Sequence, residues 1–308
     1  MKLAAIFPGQ GAQSVGMLAD IAEAHTSVKE KFDVASQVLG FDLWSMVQEG
    51  PNEVLGSTEN TQPALLVASV ALWELWSAGA EKVNVMAGHS LGEYSALVCA
   101  GAISFADGVK LVRTRGELMQ RAVPNGQGGM AAILGLDDQA VLDACDNARQ
   151  GDVVDAVNFN APGQIVIAGS ALAVERAIEL CKASGAKRAL ALPVSAPFHT
   201  SLMQPAAEKL ADLVNSTVFS PPQIPVIHNV HAQAESNPEV IKALVLDQIY
   251  KPVMWVDCVK ELKAKGAEIL IECGPGRVLN GLSKRIDSEL TSYATDDVAS
   301  LENALTAL

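Results

Sequence analysis

The sequence predicts an α/β fold in which a larger α/β domain is interrupted by a smaller unit. Three observations carry that expectation. First, the apolar residues Val83, Val85, Met86 and Ala87 lead through Gly88-His89-Ser90-Leu91-Gly92 into a helix-like run with Tyr94, Ala96, Leu97 and Val98. Second, the linker Pro124-Asn125-Gly126-Gln127-Gly128-Gly129 breaks the pattern. Third, from there to Ser195-Ala196-Pro197-Phe198-His199 the apolar periodicity reads strand, helix, strand, strand, helix, strand, the order of a ferredoxin-like unit. The expected boundaries are 1–125 and 196–308 for the larger, discontinuous domain and 126–195 for the insert.

Taken in order, Leu3–Phe7 reads as a short buried strand. It runs into Pro8-Gly9-Gln10-Gly11-Ala12-Gln13. No Gly-Lys-Ser/Thr follows, so this is not a P-loop, and the spacing is not that of a dinucleotide fingerprint. Its glycines can bring backbone N–H groups close to a ligand; a plain strand-to-helix turn is the alternative. Residues 22–39 and 42–48 read as helices, 58–63 as a loop and cap, 64–78 as a strongly apolar helix and 106–122 as a long helix. In the insert, strands are expected over 130–134, 153–158, 164–168 and 189–192, with helices over 137–148 and 172–184. Beyond it, 202–214, 239–249 and 256–265 read as helices and 226–229 and 268–272 as strands. Cys273-Gly274-Pro275-Gly276 turns the chain into a last helix from Val278.

Apolar residues make up 49% of the 308, enough for a sizeable core, and no run approaches the ~20 of a membrane span. The N-terminal apolar run is stopped by Pro8 and Gly9, too early for a signal peptide. The five cysteines are scattered and form no C-x-x-C pair, which points to reduced thiols and the cytoplasm. A formal charge of −13 argues against a nucleic-acid partner. An acidic partner would need a local basic patch, and Lys187-Arg188 and Lys284-Arg285 are adjacent basic pairs.

The chemistry centres on the G-x-S-x-G turn. A strand turning sharply into a helix holds its apex residue out beside unpaired N–H groups at the positive end of the helix dipole. Ser90 there has a nucleophile's exposure, and the N–H of Leu91 is ready for an oxyanion. Of the five histidines, His89 adjoins Ser90 and points to the other face. His228 and His231 form an H-x-x-H without a third ligand and read as surface residues. His199 follows Pro197 and Phe198 at a domain junction, where clefts form, and is the candidate base. Between Ser90 and His199 no acid sits at a clear strand end, so an amide or backbone carbonyl is expected to orient the imidazole. In the helix over 106–122, Arg115 falls in the middle of the apolar stripe formed by Leu111, Val112, Leu118, Met119 and Ala122. It pairs either with a core carboxylate or with an anionic substrate group.

Phe7-Pro8-Gly9-Gln10-Gly11, Gln62-Pro63, Gly88-His89-Ser90-Leu91-Gly92-Glu93, Arg115-Gly116, Ala196-Pro197-Phe198-His199 and Glu272-x-Gly274-Pro275-Gly276 occur in one order along nearly the whole chain. Together they resemble the malonyl-CoA:acyl carrier protein transacylases of fatty acid synthesis. The resemblance implies an α/β-hydrolase-like large domain with a ferredoxin-like insert. It implies Ser90 as acylated nucleophile, His199 as base, the N–H groups of Gln10 and Leu91 as oxyanion hole, Arg115 as holder of the malonyl carboxylate, and Gln248 as the residue whose carbonyl orients the histidine. Gln62 joins the substrate-binding set, and Phe198 is the form associated with malonyl rather than methylmalonyl units. The implied substrates are malonyl-CoA and the phosphopantetheine arm of acyl carrier protein, with no metal, no held cofactor, no nucleic acid and no membrane, in a monomer. The alternatives are a discrete malonyl acyltransferase of a polyketide pathway and a serine thioesterase or esterase; an apolar-stripe arginine and the lack of an HGGG-type loop weigh against the last.

Overall fold

The computed structural model of the chain describes residues 2–80, 82–194 and 196–307. Ser195, at the insert's closing boundary, and the terminal Met1 and Leu308 lie outside the described residues. Strand β1 (Leu3–Phe7) is buried along its whole length, as a strand covered on both faces must be. Helices α1 (Ala19–Ala24) and α2 (Thr26–Leu39) divide the single helix expected over 22–39, because His25 between them is extended (φ −136°, ψ 96°). Helix α3 (Leu43–Glu49) is capped by Asp42, which accepts from the Ser45 N–H, and the short α4 (Asn52–Leu55) follows.

Helix α5 (Thr58–Ser77) corrects another expectation: 58–63 belongs to the helix, with Pro63 inside it. Proline cannot donate to the Glu59 carbonyl one turn back. Arg113 Nη1 donates to that oxygen instead, at 3.1 Å, so the helix continues without an orphaned acceptor. Strand β2 (Val85–Gly88), α6 (Leu91–Cys99) and α7 (Phe105–Arg121) complete this half.

The insert comprises β3 (Gly128–Leu134), α8 (Asp138–Arg149), β4 (Val154–Ala161), β5 (Gln164–Ser170), α9 (Ala171–Ala183) and β6 (Arg188–Ala191). Its strands pair antiparallel in the order β4-β5-β3-β6, the ferredoxin-like arrangement. Residues on one face of the sheet, among them Ala131, Ile133, Ile165 and Ile167, pack with α8 and α9 around a core of their own. Those on the other face, including Met130, Val157 and Val166, join the main core. Val253 ties the two together: it donates to Val157 O at 2.8 Å, and its carbonyl accepts from Phe159 N at 3.0 Å.

The chain then forms α10 (Gln204–Ser216), β7 (Val226–Ile227), α11 (Pro238–Asp247), α12 (Trp255–Ala264), β8 (Ile269–Glu272), α13 (Val278–Ile286), β9 (Thr291–Ala294) and α14 (Val298–Thr306). The main sheet is parallel, in the order β7-β2-β1-β8-β9. Side-chain alternation divides its core: Leu3, Ala5 and Phe7 face one apolar cluster, Ala4 and Ile6 the other. The carboxyl ends of β1, β2 and β7 therefore open side by side, where open α/β sheets bind their ligands. No helix of the described residues is long and apolar enough to cross a membrane.

Candidate active site

The turn from β2 into α6 is built for one residue sequence. A Cβ on Gly88 would lie 1.9 Å from the Gly92 carbonyl, and one on Gly92 would lie 2.0 Å from Phe7 O. Only glycine lets strand and helix pass this closely. Ser90 at the apex has φ 50°, ψ −107°, a costly conformation for a residue with a Cβ. It is held by Asn229, whose Oδ1 accepts from the Ser90 N–H at 2.7 Å while its Nδ2 donates to Gly88 O at 2.6 Å.

The Ser90 hydroxyl lies 2.8 Å from His199 Nε2. His199, itself at φ 63°, is 4% exposed. Its Nδ1 lies 2.7 Å from the Gln248 carbonyl, which can only accept. The ring proton therefore sits on Nδ1, and the Nε2 lone pair faces the serine. Burial, reinforced by the charge of Arg115 and opposed by the Gln248 carbonyl, pushes the imidazole pKa down to about 3. His199 is thus an uncharged base across the physiological range. Leu91 opens α6, so its N–H has no carbonyl partner within the helix and stands beside Ser90 at the positive end of the dipole. Gln10, in the loop after β1, faces the same cavity as Ser90 and His199.

Arg115 is 1% exposed. Its Nη1 donates to Gln62 Oε1 at 2.7 Å; its Nη2 donates to Gln248 Oε1 at 2.9 Å and to Ser90 Oγ at 3.3 Å. The guanidinium sits 5.2 Å from the centre of the Tyr94 ring. No carboxylate is among its hydrogen-bond or ion-pair partners in the described residues, and its buried Nε has none at all. Gln62 also donates, weakly at 3.4 Å, to Gln10 Oε1.

The cavity in front of Ser90 holds about 430 Å³ and is walled by both units, with Met119 and Phe198 from the main domain and Met130, Val166 and Leu192 from the insert. His89 lines the same cavity as Ser90, and its Nε2 lies 2.7 Å from Asn160 Oδ1. His228 corrects an expectation: it is fully buried, not at the surface, and its Nδ1 lies 2.7 Å from Glu93 Oε1. His231 is exposed, and no cluster that could hold a metal occurs among the described residues.

The structure thus brings Ser90, His199, Arg115, Gln62, Gln248, Gln10, Leu91 and Phe198 to one place. Asn229, Asn160 and the role of Glu93 escaped the reading of the sequence. Asn229 lies two residues beyond β7, the strand paired with β2 ahead of the elbow, and that position was the available signal. The arrangement sets a hydroxyl against an uncharged imidazole that a backbone carbonyl holds in place, beside a buried cation, a geometry suited to acyl transfer of a substrate carrying a negative charge.

Residues 5–298 match the family described as acyl transferase domain. The malonyl CoA-acyl carrier protein transacylase of Salmonella typhimurium is 54% identical over 306 residues, covering 99% of each chain. An acyl carrier protein S-malonyltransferase from Vibrio cholerae is 58% identical, with a TM-score of 0.96 over 98% of this chain and 99% of that one. A malonyl-transacylase solved in complex with a type II PKS acyl-carrier protein is 52% identical, with a TM-score of 0.99 over the whole of both chains.

Proposed function

The chain belongs to the acyl transferase domain family, and we propose that it moves a malonyl group from malonyl-CoA to the phosphopantetheine thiol of an acyl carrier protein of fatty acid synthesis, through an acyl-enzyme on Ser90. One observation carries the choice of acyl group: a buried guanidinium 3.3 Å from Ser90 Oγ is held by two neutral amides and left without a carboxylate. Burying an unpaired cation is costly, and the free carboxylate of a malonyl thioester is the anion that offsets it.

His199 Nε2 takes the Ser90 hydroxyl proton as Oγ attacks the thioester carbon. The N–H groups of Gln10 and Leu91 receive the oxyanion. Collapse expels the CoA sulfur, which leaves with the proton from His199. The carrier thiol then gives its proton to His199, its sulfur attacks the Ser90 ester through the same oxyanion hole, and the serine oxygen takes the proton back. Every step uses groups of this chain, so the reaction calls for neither metal nor resident cofactor. The cytoplasm is the compartment this reading assigns, in keeping with five free cysteines.

Incubation with malonyl-CoA should place a malonyl adduct on the Ser90 peptide, and holo carrier protein should discharge it. An adduct cleared only by water would favour a thioesterase, and no adduct would refute the reading. The structural match to a transacylase holding a polyketide-type carrier supports a second partner class. Discharge rates with carriers of the two pathways decide between them.

An acidic carrier must dock on a protein of charge −13 through local positive charge. Lys187 and Arg188 are exposed, and β6 leads from them directly to Leu192, Pro193 and Val194 on the cavity wall. Arg285, in the other basic pair, is engaged by Gln164 and Pro162 of the insert. Reversing both charges at 187 and 188 should raise the KM for carrier and leave that for malonyl-CoA unchanged. An unchanged carrier KM would move the docking face elsewhere.

A further inference from the structure

Behind the reacting atoms lies a carboxylate that the mechanism does not use. Glu93, on the first turn of α6, is 0% exposed. Its Oε1 meets His228 Nδ1 at 2.7 Å. Its Oε2 accepts from the Asn229 N–H at 2.8 Å and from Gln248 Nε2 at 2.8 Å. Both of the latter partners lead straight into the site. Asn229 clamps the strained elbow through Ser90 N and Gly88 O. Gln248 donates a second hydrogen bond to Ser90 O at 3.0 Å, accepts from Arg115 through its side-chain oxygen, and accepts from His199 through its backbone carbonyl.

A carboxamide has one accepting end and one donating end. With Glu93 below it, the Gln248 amide has a single satisfied orientation: nitrogen toward the carboxylate, oxygen toward the guanidinium. The flipped amide would set oxygen against oxygen on one side and N–H against N–H on the other. Arg115 and Glu93 are thereby joined through one amide rather than in a direct salt bridge. A direct bridge would neutralise the guanidinium; the amide link steadies it and leaves its charge without a carboxylate, available to a substrate anion.

We propose that Glu93 is the positioning residue of this site, fixing the Gln248 amide and Asn229 so that Arg115, His199 and Ser90 hold their working geometry. The proposal rests on the roles assigned above to those three residues. It is a matter of reach rather than charge, and two substitutions separate the two. Glu93→Gln keeps the side-chain length and an oxygen for Asn229 and Gln248; its new N–H₂ can donate to His228 Nδ1, with the histidine proton moved to the now unpartnered Nε2. Glu93→Asp keeps the charge but withdraws the carboxylate by one methylene.

The measurements are malonyl and acetyl transfer rates of both variants and of Arg115→Ala, with melting temperatures beside them. Glu93→Gln should transfer malonyl within about tenfold of wild type. Glu93→Asp should lose on the order of 10²-fold in kcat, with a reduced malonyl-to-acetyl ratio, because the arginine is no longer held in register. A merely structural residue would lower the melting temperature and leave the ratio alone. An aspartate variant more active than the glutamine variant, or an unchanged ratio in Glu93→Asp where Arg115→Ala has lost it, overturns the positioning role alone. A wild-type ratio in Arg115→Ala overturns the carboxylate fork and the positioning role with it.

Discussion

The His199→Ala variant is expected to form the malonyl adduct on Ser90 roughly 10²–10⁴-fold more slowly than wild type, the range a general base contributes. Ser90→Ala should form none. The geometry leaves little room for substitution of the base, because His89 is turned to Asn160 and His228 is buried against Glu93. The pH profile tests the same residue differently. With its pKa held at about 3, His199 remains deprotonated and competent well below the ordinary histidine value of 6.5. Acylation should therefore show no inflection near pH 6.5 and should fall only as the pH approaches the lowered value. An ordinary histidine would lose about tenfold in rate per pH unit below its pKa. The same shift weakens the fold in acid: between pH 6.5 and about 3 the unfolded chain binds a proton here that the folded chain refuses, so stability falls as the pH is lowered through that window. Near-wild-type acylation by His199→Ala, or an inflection at pH 6.5 that disappears with His199, would break the assignment.

What the sequence disclosed and what it hid follow from the range of the interactions. The elbow was legible because its glycines answer a local need, the close passage of β2 and α6. The insert was legible because each of its elements has its own apolar period. Arg115 was legible as an anomaly, a cation on an apolar stripe, though its neutral partners Gln62 and Gln248 lie 53 and 133 residues away. His228 was misread for the same reason: its partner Glu93 is 135 residues distant, and no local pattern marks a histidine as buried. Residues 58–63 read as a loop and cap, not as helix, because the donor that replaces the missing N–H of Pro63 comes from Arg113 on another helix. Strand β9 was overlooked because Thr291-Ser292-Tyr293-Ala294 lies at the sheet edge, only partly buried and without an apolar run.

Arg115→Ala should separate the two roles open to a buried arginine. If the guanidinium meets the free carboxylate of the substrate, its removal deletes a charge-assisted contact worth roughly 1.5–3 kcal/mol per hydrogen bond, and the fork can make a pair. Malonyl-CoA should then lose on the order of 10²-fold or more in kcat/KM. Acetyl-CoA makes no such contact and should be transferred as well as by wild type, or better, since the cost of burying an unpaired cation is gone. A second consequence follows from the electrostatics of the base. The Arg115 charge helps hold the His199 pKa down, so its loss should move the acid limb of the acetyl-transfer profile toward neutral pH. Arg115→Lys should restore only part of the malonyl rate, because an ammonium cannot reproduce the planar fork toward a carboxylate while also reaching Gln62 and Gln248. A purely structural arginine gives a different outcome. Its loss strands two buried amide oxygens, lowers the melting temperature and slows both acyl groups alike. Equal losses for malonyl and acetyl, measured on folded protein, would remove Arg115 as the source of selectivity and leave the cavity wall around Phe198 as the part of this site that distinguishes acyl groups.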